Sequence, residues 1–256
     1  CICAVFTLLS FNKKHRGAVL SVSLTAVVLS VVLCVYAGIY GNADKCRILY
    51  RDTKDGFSVY IANERDSLFI DYGGTALSED FIFLAGNTAC ETLMIIRYDK
   101  LTYKKVEYFL ACMSTDNVYL KKPFDDEEII EYNKISVLAK AYGCDIIEFG
   151  TFCQRIGDVV VTVDNLSVCA EVYGRKAYIS LSDDTDSFGI NKTYDCIFLP
   201  SCVYEGSFIG VARTRYLLYG NKTVMGYAAK ATGRIEYKYY DAVAVNITKN
   251  GYIEVE

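Results

Sequence analysis

The chain has 256 residues, 52% of them hydrophobic, with a mean hydropathy of +0.19 and a formal net charge of −4. That hydropathy is high for a wholly soluble domain and fits one ordinary domain plus a membrane segment. The only histidine is His15, which excludes imidazole as a base or metal ligand in the rest of the chain.

Cys1–Phe11 is apolar, and Asn12-Lys13-Lys14-His15-Arg16 is a compact basic loop. The chain starts at Cys1, not Met, so residues 1–16 read as the end of a preceding membrane helix and a basic cytoplasmic loop. Gly17–Tyr40 then runs 24 residues without a charge, enough to cross a bilayer core as a helix. A signal peptide with the KKHR stretch as its leading basic region competes, but the apolar residues before it argue against that. With the basic loop inside, residues 41–256 are expected outside the cytoplasm. Without Lys13, Lys14 and Arg16, this outer part carries 24 basic residues against 31 acidic ones, about −7. Such a balance argues against strong nonspecific binding of nucleic acid and leaves a local basic groove open.

Of the 11 cysteines, eight lie after residue 40, and no Cys-x-x-Cys pair suggests a zinc knuckle. Cys46–Tyr50, Ser58–Ala62 and Ser67–Tyr72 read as three antiparallel strands joined by Asp52–Phe57, which carries an Asp-Gly turn signal, and by Asn63–Asp66. Gly73-Gly74 closes this meander as a turn or as a close approach of backbone to a ligand. Asn87 or Thr88 is the expected cap of a helix over Ala89–Lys100. The alternation of Val106, Tyr108, Leu110 and Cys112 predicts a strand running into the polar loop Ser114–Asn117. Asp125–Tyr132 and Lys134–Tyr142 read as two short helices, the second ending before Gly143. From Cys144 onward strands return: Asp145–Phe149, Asp158–Val163, Ser167–Tyr173, Ala177–Leu181, Asp195–Pro200 and several after Arg215. Two blocks, 46–142 and 144–256, each a meander with helical material after it, predict an α+β class chain: an α/β/β/α sandwich preceded by a transmembrane helix.

The order of turns resembles the C-terminal part of ComEC-type DNA-uptake channel proteins, whose last membrane helices lead into a metallo-β-lactamase-fold domain. Asp52, Gly56 and Ser58 match that family's D-V-G-Q-G-D-S turn, with Phe57 in place of its acidic residue. Leu68–Gly74 matches a strand ending in I-D-G-G, with Tyr72 inserted after Asp71. Cys112–Asn117 aligns with H-x-H-x-D-H, where only Asp116 is kept and Cys112, Ser114 and Asn117 stand for histidines. Leu181-Ser182-Asp183 fits an L-T-G-D turn, and Asp195–Ser207, which includes Cys202, fits a D-V-L-K-V-P-H-H-G-S segment.

The resemblance implies a degenerate metal site at Asp52, Asp71, Cys112, Ser114, Asp116, Asn117, Asp183 and Cys202. A working site of that fold uses two divalent metals held largely by neutral imidazoles. This chain lacks them, so no cofactor is expected. Asp116 and Asp183 are the weak candidates for a single divalent cation bound through oxygen. The reading that follows is a non-catalytic domain of a multi-pass cell-membrane protein, with the membrane, DNA and other competence proteins as its partners. A hydrolase with an atypical carboxylate site and a pseudoenzyme module for protein partners remain the alternatives.

Overall fold

The computed structural model describes residues 27–30, 45–63, 66–86, 90–181, 193–203, 207–208, 213–220, 224–225, 235–239 and 242–256. The chain divides into two units, Cys1–Asp44 and Lys45–Glu256. In the first, residues 27–30 are helical and exposed, and the rest of the predicted 17–40 span lies outside the described residues. Among the described residues, no helix is long and apolar enough to cross a membrane.

The second unit is a mixed α/β sandwich of two large sheets. Its chain runs β1 (Lys45–Asp52), β2 (Phe57–Asn63), β3 (Asp66–Asp71), α1 (Glu79–Ala85), β4 (Thr92–Ile95), α2 (Thr102–Cys112), β5 (Asn117–Lys121), α3 (Asp126–Ala141) and β6 (Asp145–Phe149). Strands alone follow among the described residues. They are β7 (Phe152–Ile156), β8 (Val159–Val163), β9 (Ser167–Val172), β10 (Arg175–Ser180), β11 (Thr193–Leu199), β12 (Ser207–Phe208), β13 (Arg213–Gly220), β14 (Val224–Met225), β15 (Ile235–Tyr239), β16 (Ala242–Thr248) and β17 (Ile253–Val255). One sheet has the order β17-β16-β1-β2-β3-β4-β5-β6, the other β15-β13-β11-β10-β9-β8-β7, and β12 pairs with β14 separately.

Both sheets follow one scheme. An antiparallel meander, β1–β3 or β8–β10, is extended by parallel strands, β4–β6 in the first sheet and β11, β13 and β15 in the second. Side chains on alternate faces of each strand divide the core. Ile48, Tyr50, Val59, Ile61, Leu68 and Ile70 point between the sheets and meet Val161, Ala170, Ile179, Cys196, Phe198 and Leu218. Leu49, Tyr60, Phe69, Leu93 and Ile95 point the other way, onto the helices. There Phe69 lies edge-on to Phe81 of α1 and Phe109 of α2, with ring centroids 5.9 and 4.9 Å away. The outer face of the second sheet buries Tyr178, Tyr194, Ile197, Leu199 and Leu217.

Three predicted elements are corrected. Residues 106–112 form a helix, not a strand. Thr102, Val106, Phe109 and Leu110 are the buried residues of α2, with Met113 buried just beyond it, and this is helical spacing. The alternation that suggested a strand counted Tyr108 and Cys112, which face solvent. The helix predicted over 89–100 is instead β4, whose residues Thr92–Ile95 are all buried between β3 and β5. A parallel strand covered on both faces is continuously apolar, so it shows no period of two. The two short helices after residue 125 are one, α3, with Asp125 capping its start and the chain turning away at Gly143 (φ 82°). The meander β1–β3, the turn at Asp52–Phe57 and the strands β8–β11 lie where the sequence places them. An added strand is β7, and β16 and β17 pair beside β1 in the first sheet, not in a second block. Asp145–Phe149, however, joins the first sheet as its edge.

Candidate functional site

The parallel strands of the first sheet all point one way, so their carboxyl ends form one edge of the sandwich. Asp71 is level with Ile95, Ile95 with Leu120, and Lys121 with Phe149. Ser58 opposes Asp71, and Phe57 opposes Asp52, which brings the end of β1 to the same edge. In open α/β sheets this edge is where ligands bind.

Asp52 ends β1 nearly buried, at 8% exposure. Its carboxylate accepts the Ser201 backbone N–H at 2.9 and 3.0 Å and the Ser201 hydroxyl at 2.6 Å. It thus ties the first sheet to the loop after β11. Gly220 passes so close that a Cβ there would lie 2.5 Å from Ser201 Oγ and 2.6 Å from Asp52 Oδ2. In the turn after β1, the Asp55 carboxylate accepts bonds from Thr53 at 2.8 Å and from Thr75 at 3.2 and 3.4 Å. Burial pushes the Asp55 carboxyl up, but these hydrogen bonds outweigh it and leave it below the usual range. Gly73 and Gly74 have φ of 73° and 64°. A Cβ on Gly74 would fall 2.6 Å from the backbone of Asp55 and Gly56, so the pair packs loop against loop.

Asp71 ends β3 fully buried. Lys105 Nζ lies 2.8 Å from its Oδ2, and the Ser58 hydroxyl donates to Oδ1 at 3.0 Å. Burial raises the Asp71 carboxyl above its ordinary value, although Lys105 and Ser58 both pull it down. Lys105 belongs to α2, whose first turn is fixed by Asp99: Asp99 accepts the N–H of Gly74, that of Leu101 at 2.8 Å and the Thr102 hydroxyl at 3.1 Å. Arg97, between β4 and that cap, is exposed. It donates to the Asp55 carbonyl at 3.3 Å and lies 5.7 Å from the centre of the Tyr72 ring, which stacks on Phe57. Lys54, Asp55, Arg97 and Cys202 line an open cleft of about 550 Å³. Burial, reinforced by Asp52, pushes the Cys202 thiol up to about 12.

Of the predicted site residues, the structure brings Asp52, Asp71 and Cys202 to this edge. Cys112, Ser114, Asp116 and Asn117 lie at the other end of the parallel strands, since Asn117 opens β5 level with Thr92, the first residue of β4. There the backbone of Ser114 accepts from Cys90, and that of Asp116 donates to Glu91 and accepts from Asp145. Asp183 lies outside the described residues. The cause is the strand–helix exchange described above: with β4 at 92–95, the loop at the functional edge is Ile96–Leu101, not 112–117. Arg97, Asp99 and Lys105 were therefore missed. The signal was present, because a charged loop follows an apolar run and Asp99 precedes Thr102 by three residues, the spacing of a helix start.

No protein-family model matches this sequence, and no curated protein matches it. Among solved structures, the chain is similar to a diphosphatase of the PhnP family, at 8% identity and a TM-score of 0.49, over 79% of this chain and 98% of that one. It is also similar to the diiron β-hydroxylase CmlA from Streptomyces venezuelae, at 9% identity and TM-score 0.38, over 60% of this chain and 34% of that one. A metallo-β-lactamase superfamily protein from Thermotoga maritima is similar at 8% identity and TM-score 0.32, over 67% of this chain and 74% of that one. The class the coordinates define is a mixed α/β two-sheet sandwich.

The residues at this edge do not fit a divalent-metal centre. A metal needs several lone pairs converging on one point, and here the carboxylate oxygens face hydrogen-bond donors instead. Asp52 is held by Ser201, Asp71 by Lys105 and Ser58, and Asp99 by the start of α2. Cations are already present at this edge, among them Lys105 on Asp71 and Lys54 and Arg97 in the cleft. Among the described residues, no group of three or more His, Cys, Asp or Glu side chains could hold a metal.

Proposed function

We propose that residues 45–256 are a non-hydrolytic, metallo-β-lactamase-like domain of a DNA-uptake channel protein, carried on the outer face of the cell membrane by the apolar segment 17–40. Its partners in this reading are the membrane, incoming DNA and other competence proteins. The observation that carries the non-hydrolytic part is the buried Lys105–Asp71 pair. An ammonium neutralises the strand-end carboxylate, which is then not free to hold a metal ion. The turn order Asp52–Ser58 and Asp71–Gly74 supports the family part, since both turns meet at one edge.

The test is direct. The full chain is incubated with Mg²⁺, Mn²⁺ or Zn²⁺ and either single-stranded DNA or bis(p-nitrophenyl) phosphate, beside Asp71→Asn. The expected result is no metal-dependent turnover in either protein. Metal-dependent cleavage by the natural chain that disappears in Asp71→Asn would overturn the reading. A reporter fused after Glu256 gives an extracytoplasmic signal in this reading, and a cytoplasmic signal refutes the placement.

A further inference from the structure

A second cleft, of about 860 Å³, opens at the same edge beyond β4–β6, and Lys121, Lys122, Phe124, Thr151 and Asn165 are among its lining residues. Its most unusual member is Phe124, which is 94% exposed. An apolar ring left in water forgoes about 1.5–3 kcal/mol of burial, so its exposure calls for a reason.

The backbone that carries the ring is held in place. Pro123 precedes it and fixes its own φ. The Phe124 N–H donates to Glu128 Oε2 at 2.7 Å, while the Glu128 N–H donates to Asp125 Oδ1 at 2.8 Å, so the start of α3 clamps the residue. Just before it, the Lys122 N–H donates to the Phe149 carbonyl at 2.8 Å, and the buried Tyr98 hydroxyl donates to the Lys121 carbonyl at 2.6 Å. The backbone from 121 to 128 is thereby fixed on both sides of an aromatic face that no described residue covers. Across the cleft, the Asp164 carboxylate accepts from Leu166 and Ser167 and sets the turn that carries Asn165.

We infer that this cleft binds a nucleotide unit, with the base stacked on Phe124 and the phosphate between Lys121 and Lys122. A flat apolar face asks for a flat ligand, and two lysines lining one cleft ask for an anion. The Thr151 hydroxyl and the Asn165 amide add neutral hydrogen-bonding groups at the rim. Glu128, the one carboxylate lining the cleft, is already engaged with the Phe124 N–H. The volume lies within the range of small-molecule sites. The source of the nucleotide, a passing strand, rests on the proposed function, while the ligand chemistry rests on these residues alone.

The experiment measures fluorescence anisotropy of labelled dT15 with the full chain at low and high salt, using unlabelled dTMP, a 15-base-pair duplex and poly-glutamate as competitors. Natural protein binds dT15, with affinity that falls as salt rises. Phe124→Ala weakens binding about tenfold, whereas Phe124→Tyr keeps it. Lys121→Gln with Lys122→Gln weakens binding and flattens the salt dependence. Displacement by dTMP assigns the site to a free unit, and dT15 binding that resists dTMP assigns it to a strand. Unchanged binding by Phe124→Ala overturns the inference, as does a duplex or poly-glutamate that displaces dT15 as well as unlabelled dT15 does. The three substituted positions are exposed or half-buried, and circular dichroism checks the fold. Metal-dependent cleavage would refute the non-hydrolytic reading without touching this site, and loss of binding alone would leave that reading in place.

Discussion

Replacing Lys105 with Met removes the only cation among the described residues within salt-bridge distance of a carboxylate with no solvent exposure. At 2.8 Å, with an effective dielectric near 20, the two charges attract by about 6 kcal/mol. Part of that attraction only offsets the cost of burying the lysine, which the variant no longer bears. The expected net loss is therefore about 3–5 kcal/mol, the range for a buried pair broken on one side. Met keeps most of the aliphatic stem, so lost packing contributes little. Urea unfolding at pH 7 reads the difference, provided the slope stays constant between proteins. The pH dependence separates this cause from ordinary mispacking. Burial raises the Asp71 carboxyl in the folded protein, so between the unfolded value near 3.9 and the folded value the native state binds more protons, and stability falls as pH rises. Without Lys105 that window widens upward. The deficit of the variant should therefore be largest at neutral pH and shrink as the solution is acidified and Asp71 takes a proton. Adding Asp71→Asn should recover much of the loss at pH 7. A deficit below about 1 kcal/mol, or one of the same size at pH 4 and pH 7, would refute the account of Asp71 as a buried anion held by Lys105.

Gly220→Ala drives a methyl into Ser201 Oγ and Asp52 Oδ2, so it should destabilise by about 1–3 kcal/mol in urea unfolding; no measurable change would mean that the Asp52 link between the sheets yields freely. Iodoacetamide at pH 8 should label the exposed Cys112 and Cys153 first, and the buried Cys46 and Cys196, whose thiols burial pushes up to about 12, only once the protein unfolds. Mass spectrometry of tryptic peptides gives the order, and early labelling of Cys196 would contradict its place between the sheets.

The meander β1–β3 was legible because its turns carry Asp-Gly and Gly-Gly and its strands are bounded by polar residues. The exchange of β4 and α2 was not. Thr92–Ile95 is covered by the inter-sheet core on one side and the helices on the other, which removes the alternation that marks a strand. In α2, Val106, Phe109, Leu110 and Met113 fit a helix, yet Val106, Tyr108 and Leu110 fit a strand equally well. Seven residues of mixed apolar character satisfy both periods, and tertiary packing decides. That ambiguity moved the expected site by one element, so Asp52 and Asp71 were placed at the functional edge while Asp116 and Asn117 were assigned to an edge they do not reach. The Lys105–Asp71 pair could not be read at all, because 34 residues and a helix separate its members. The turns at Asp52–Ser58 and Asp71–Gly74 that carry the resemblance meet at one edge, and the segment 112–117 lies at the other end of the parallel strands.

The place of β1 in the first sheet also governs the timing of folding. β1 is hydrogen-bonded to β2 on one side and to β16 on the other, and Arg51 pairs with Ala242, 191 residues later. At synthesis rates of ~5–20 residues per second, one flank of β1 stays unpaired for roughly 10–40 s after it is made. The meander can form early, but its open flank is a template for any passing strand until β16 arrives to close it. A sheet closed by a strand this far along the chain folds late. Any chain cut short of residue 242 would carry that open edge permanently, so truncation here should produce aggregation, not a smaller stable domain.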